Sequence, residues 1–117
     1  MMLIEETNVP DAVLPVEAFR MHLRLGSGFG QDGLQDPVLR SFLRAAIAAV
    51  EARTGKVLIT RRFALSLTFW RDAAAQVLPV APVQEVARVA LVARDGAETL
   101  VDPDRYWLER DAQAPRL

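Results

Sequence analysis

The chain has 117 residues, enough for one domain with one modest core. It has no cysteine and a single histidine, His22. Disulfides, thiolate metal sites and cysteine nucleophiles are therefore excluded, and a histidine-based zinc site or Ser-His-Asp triad has almost nothing to draw on. With 51% hydrophobic residues, 25% charged residues and a formal net charge of -1, the chain reads as globular and as no general binder of nucleic acid or membrane surfaces. No apolar stretch approaches the ~20 residues of a membrane span, and the acidic Glu5-Glu6 start is unlike a secretory signal. Composition points to a soluble, intracellular, non-catalytic domain without metal or cofactor.

Residues 1–13 show no period and read as an extended lead-in. From Pro15 the pattern turns helical. Val16, Phe19 and Leu23 share one face, with Glu17, Arg20 and Arg24 pointing elsewhere. Gly26, Gly28, Gly30 and Gly33 then end that helix. The string Gly28-Phe29-Gly30-Gln31-Asp32-Gly33 matches G-x-G-x-x-G, but a dinucleotide site needs a strand before it and a βαβ unit around it. Here a helix precedes it, so a flexible inter-helix loop is the better reading. Phe29 in that loop is either a peg into the chain's own core or a contact for a neighbour.

The second helix has the clearest pattern. Asp36 reads as its N-cap and Pro37 as its first residue. Leu39, Phe42, Leu43, Ala46, Ile47 and Val50 recur at helical spacing, and Gly55 stops it. About eighteen residues give a rod of ~27 Å. Ala45, Ala46, Ala48 and Ala49 make its middle slim, which either permits close approach of another backbone or reflects alanine's helix propensity.

Past Gly55 the period becomes two. Phe63, Leu65, Leu67 and Phe69 alternate with Ala64, Ser66, Thr68 and Trp70, predicting a half-buried strand. Pro79 and Pro82 bracket a stretch that cannot be a central strand. A run from Val86 to Ala93, a two-residue turn at Asp95-Gly96 and a return over Thr99–Val101 predict a hairpin. A turn at Asp102-Pro103-Asp104 precedes a last strand at Tyr106–Leu108, and the chain stops at Leu117 with no terminating element. The fold class is α+β: two N-terminal helices over about 14–55, then a small antiparallel sheet over about 57–117, in a single domain.

Asp102 and Asp104, with Asp95, Glu98, Glu109 and Asp111 nearby, are the densest carboxylates. A proline turn explains them without acid–base chemistry or a calcium loop. Charge is segregated along the chain: residues 1–35 carry -3, residues 36–71 carry +5 and residues 72–117 carry -3. That pattern balances either within one domain or between copies. Thirteen of the fourteen basic residues are arginines, which favours bidentate pairing. The candidate interface residues are Phe29, Arg40, Arg44, Arg61, Arg62, Trp70 and Trp107, since aromatics and arginine are what interfaces favour. The exposed pair Arg40 and Arg44 also supplies a thin version of a recognition helix, so a small DNA-binding or regulatory module is the competing reading.

The ordered segments resemble a known family. They are Leu14-Pro15-Val16-Glu17-Ala18-Phe19 with His22-Leu23-Arg24, then Val50-Glu51-Ala52-Arg53-Thr54-Gly55 running into Leu58-Ile59-Thr60. Leu78-Pro79-Val80-Ala81-Pro82-Val83, the Asp95-Gly96 turn and Val101-Asp102-Pro103 before Tyr106 complete the set. Together they make the chain similar to the head–tail connector (adaptor, or head-completion) proteins of tailed phages, most closely those of phage-like gene transfer agents. The resemblance implies a non-enzymatic subunit of a dodecameric ring at the head–tail junction, assembled in the bacterial cytoplasm. The ring's partners would be the portal, the stopper and double-stranded DNA threading its hole without sequence recognition. It also implies a further strand and a C-terminal segment that docks to the portal, which is expected either to be missing here or to have its role taken by the earlier elements.

Overall fold

The computed structural model describes residues 1–23 and 32–117. Its secondary structure is α+β as expected. In chain order it has β1 (Met2–Glu5), a 3-10 turn (Asp11–Val13), α1 (Val16–His22) and α2 (Asp32–Thr54). β2 (Phe63–Ser66), β3 (Ala90–Val92), β4 (Glu98–Leu100) and a second 3-10 turn (Pro103–Arg105) follow. β1 pairs with β2 and β3 with β4, giving two two-stranded sheets. None of the described helices is long and apolar enough to cross a membrane. The chain divides into two compact units: Leu3–Thr54 with Leu58–Leu65, and Met1–Met2, Gly55–Val57 with Ser66–Leu117.

The helical unit is built on α2, which at 23 residues is ~34 Å long. It begins at Asp32, so Pro37 lies inside the helix rather than at its first position. Proline there forgoes only the bond to the Gly33 carbonyl, close to the end where N–H groups lack partners anyway. Asp36 is therefore no cap. Its carboxylate instead pairs with Arg20 of α1 and, at 3.9 Å, with Arg40. Arg20 does not point outward as its charge suggested; it is 7% exposed. Val16 and Arg20 are four residues apart and so share a face of α1, and that face meets α2.

The apolar residues of α2 cover about 200° of its circumference at 100° per residue, and the unit uses only part of that arc. Leu39 is 5% exposed, with Leu43 and Ile47 half-buried beside it. Phe42, grouped with them by spacing, is 61% exposed, and Val38 and Val50 are exposed as well. The inward face is rotated toward Asp36, Arg40 and Glu51, all half-buried, because the guanidiniums of Arg20 and Arg61 come to rest against Asp36 and Glu51. Leu39→Ala is expected to cost about 2–3 kcal/mol, measured as a lower urea midpoint at unchanged slope.

Gly55 ends α2 at φ 68°, the left-handed position that favours glycine. Its carbonyl accepts from the Ala81 N–H at 3.0 Å, and Val57 N–H donates to the Ala81 carbonyl at 2.8 Å. The proline-bracketed stretch is thus held by an isolated bridge and is no strand. β2 stops at Ser66, four residues short of Trp70, because its partner β1 spans only Met2–Glu5. Residues 1–13, read as a lead-in, supply that partner.

In the other unit the hairpin is shorter than its apolar run. Ala90 pairs with Leu100, Leu91 with Thr99 and Val92 with Glu98. Its loop has three residues, not two. Gly96 N–H closes a turn on the Ala93 carbonyl at 3.0 Å, and Ala93 N–H then reaches the Ala97 carbonyl at 2.9 Å. Gly96, at φ 86°, is the left-handed residue such a loop requires. Tyr106–Leu108 is not a strand, since among the described residues no ladder partner lies beside it; of this segment and its neighbours Glu109 alone is bridged, to Arg116. The C-terminus, expected to lack a terminating element, is paired on both sides. Leu117 exchanges two backbone bonds with Gln76, Arg116 two with Glu109, and Leu78 donates to Pro115. Pro115 is fully buried.

Candidate functional site

The densest carboxylates are turn residues. Asp95 Oδ1 accepts from Ala97 N–H at 3.0 Å, Asp102 Oδ1 from Asp104 N–H at 2.9 Å, and Asp111 Oδ1 from Gln113 and Ala114 N–H at 2.6 and 2.7 Å. Asp72 does the same for Ala74. Each closes its own loop, as aspartate does in turns. The N–H groups of Ala114 and Gln113 hold the Asp111 carboxyl below its usual range. No group of three or more metal-ligating side chains occurs among the described residues.

The arginines separate by environment. Arg61 and Arg62, adjacent in sequence and both named as interface candidates, lie in different environments. The Arg61 side chain is 9% exposed. Its Nη1 and Nη2 donate to Glu51 Oε1 and Oε2 at 3.0 and 2.5 Å, a bidentate fork. Its Nε lies 2.9 Å from Glu5 Oε1, and its guanidinium stands 5.1 Å from the Phe63 ring centroid. Arg62 is exposed. Arg44 donates to the Val9 carbonyl at 2.7 Å and to Asp11, and with Arg40 it lines a shallow hollow of about 320 Å³ beside Pro37 and Ser41. Both helix arginines proposed for DNA reading are thus engaged with carboxylates of their own unit.

Hydrogen bonds from Arg61 hold the Glu51 carboxyl below the usual range, helped by the Leu58 N–H and opposed by burial. Because its folded value is depressed, Glu51 contributes stability above its ordinary value of about 4.3. That contribution is lost as pH falls through the folded value. Glu51→Gln is expected to lower the urea midpoint at pH 7, and the gap to the parent chain narrows on acidification below about pH 4.5.

These pairs also cancel the charge segregation. Arg61–Glu5 and Arg44–Asp11 join the basic middle to the acidic start. The helical unit holds seven acidic and seven basic residues, and the other unit eight acidic and seven basic. What stays unsatisfied is apolar. Trp70 and Trp107, 37 residues apart, line one open groove of about 530 Å³ with Tyr106, Arg105 and Arg116, and Trp107 is 82% exposed. The outward face of α2 and the hairpin residues Leu91, Val92 and Leu100 are exposed too. Phe29 lies outside the described residues, as do the first four residues of the glycine string; Asp32 and Gly33 belong to α2. Sequence reasoning missed the buried Arg20, Gln76 and Pro115. Only Arg20 left a signal, its helical spacing from Val16.

No family model and no curated protein matches the chain. Solved structures do. A chain in the neck of an empty gene transfer agent (GTA) particle, computed with C6 symmetry, matches at TM-score 0.92 and 52% identity over 99% of this chain and 59% of that one. A chain in the virion of a native GTA particle matches at 0.89 and 51%, over 100% and 60%. A chain in the neck of a native GTA particle, computed with C12 symmetry, matches at 0.85 and 46%, over 99% and 57%. The present chain thus spans less than two thirds of the length of each. The matches bear out the resemblance to GTA connectors carried by the ordered segments.

Proposed function

We propose that this chain is a structural subunit of the neck of a gene-transfer-agent particle, one of the copies that close a ring at the head–tail junction. The observation that carries this reading is the match at 52% identity and TM-score 0.92 over 99% of the chain. In this reading twelve copies sit between portal and stopper, and double-stranded DNA passes through the central hole without sequence recognition. The C12 and C6 symmetry of the matched necks supports a ring. So does the chain's surface. Among the described residues, large apolar side chains are exposed far more often than buried. Such patches mark protein contacts. The subunit works by shape: its aspartates close turns, and its helix arginines pair internally.

Electron microscopy of particles carrying a tagged version of this chain tests the reading. Density for the tag is expected as a ring at the head–tail junction; density in the head or along the tail overturns it.

A further inference from the structure

The ring reading requires each copy to present two unlike faces, because a cyclic assembly closes through heterologous contacts. The chain carries two exposed apolar surfaces of opposite curvature. One is convex: the outward ridge of α2, with Val38, Phe42, Ala45, Ala46 and Ala49 all exposed and at helical spacing along one side. No charged residue interrupts that stripe, so covering it strips no ion of water. Phe42 is its one large ring, and the alanines beyond it let a partner's surface approach the helix backbone. The other is concave: the groove of about 530 Å³ walled by Trp70, Tyr106 and Trp107 with Arg105 and Arg116 at hand. Tryptophan, tyrosine and arginine around a hollow make the composition of an interface hot spot, and aromatic walls suit a phenylalanine edge.

Resting on the ring reading, we propose that the Phe42 ridge of one copy seats in the Trp70–Trp107 groove of the next. The two surfaces lie on different compact units. Near-neutral units leave apolar fit, not charge, to hold the contact. The hairpin residues Leu91, Val92 and Leu100 form a second convex patch and offer no socket.

The absence of cysteine makes the test direct. Ala46 is on the ridge and Ala74 on the groove wall. In particles assembled with the Ala46→Cys, Ala74→Cys double variant, a short bismaleimide is expected to link copies into a ladder of multimers. Neither single variant should ladder, and adding Trp107→Ser should cut the linked fraction about tenfold or more. A ring visible in the neck without a ladder overturns the proposal while leaving the ring reading in place. Coupling of Ala46→Cys to a different particle protein overturns it as well. Absence of the ring overturns both.

Discussion

Arg61→Ala is expected to destabilise the chain by about 3 kcal/mol, near the lower end of the cost of breaking a buried ion pair. The magnitude follows from what is left behind. The Glu51 side chain is 12% exposed and accepts both guanidinium nitrogens. Without them a carboxylate remains desolvated, its remaining partner among the described residues the Leu58 N–H at 2.8 Å. The same guanidinium ties α2, through Glu51, to β1, through Glu5, and covers Phe63 of β2. Its loss therefore loosens three elements of the helical unit together. Arg61→Lys keeps the charge but not the planar fork and should fall between the two. Urea unfolding decides: a midpoint loss worth under about 1 kcal/mol would mean the pair behaves as an exposed one.

Arg61 also shows why the helical unit was only partly legible. Apolar period and the glycine stop at Gly55 identify helices well, and both helices were found, though the start of α2 was placed too late. Which part of a wide apolar arc faces inward is decided by partners distant in sequence. Here Arg20 meets Asp36 sixteen residues on, and Arg61 meets Glu51 and Glu5, so the core rotated toward charged positions and left Phe42 outside. The proline at 37 misled for a local reason. The rule placing proline first in a helix describes a preference, and proline one turn further in loses a single bond. In the β region the alternating run over 63–70 stated which residues could form a strand, but strand length is set by what pairs with it, and β1 offers only four residues. The turn at Asp102-Pro103-Asp104 was read correctly because it is local chemistry, whereas at Asp95-Gly96 the position was right and the loop length was not. The groove was half visible: both tryptophans were singled out, while their juxtaposition across 37 residues left no trace in spacing.

Removing Pro115–Leu117 is the second large effect expected, a net loss of about 3 kcal/mol confined to the unit containing the groove. The deletion takes away five backbone hydrogen bonds, to Gln76, Leu78 and Glu109, each worth about 1 kcal/mol net. It also takes away the fully buried Pro115 and uncovers a glutamine, Gln76, that is 4% exposed. The Gln76 N–H and carbonyl, 2.7 and 2.9 Å from their Leu117 partners, would lose those partners in a buried position, which costs more than an ordinary bond returns. Against this stands the freedom regained by three residues, about 1–2 kcal/mol each, which is why the net falls well short of the gross sum. The surface pair Arg116–Glu109, 48% and 57% exposed, is screened by solvent and adds little, so Arg116→Ala alone should change little. Hydrogen exchange separates the contributions. In the shortened chain the amides of Gln76, Leu78 and Glu109 should lose protection while those of α2 keep theirs. Unchanged protection at Gln76 would show that the C-terminal pairing does not hold this unit together.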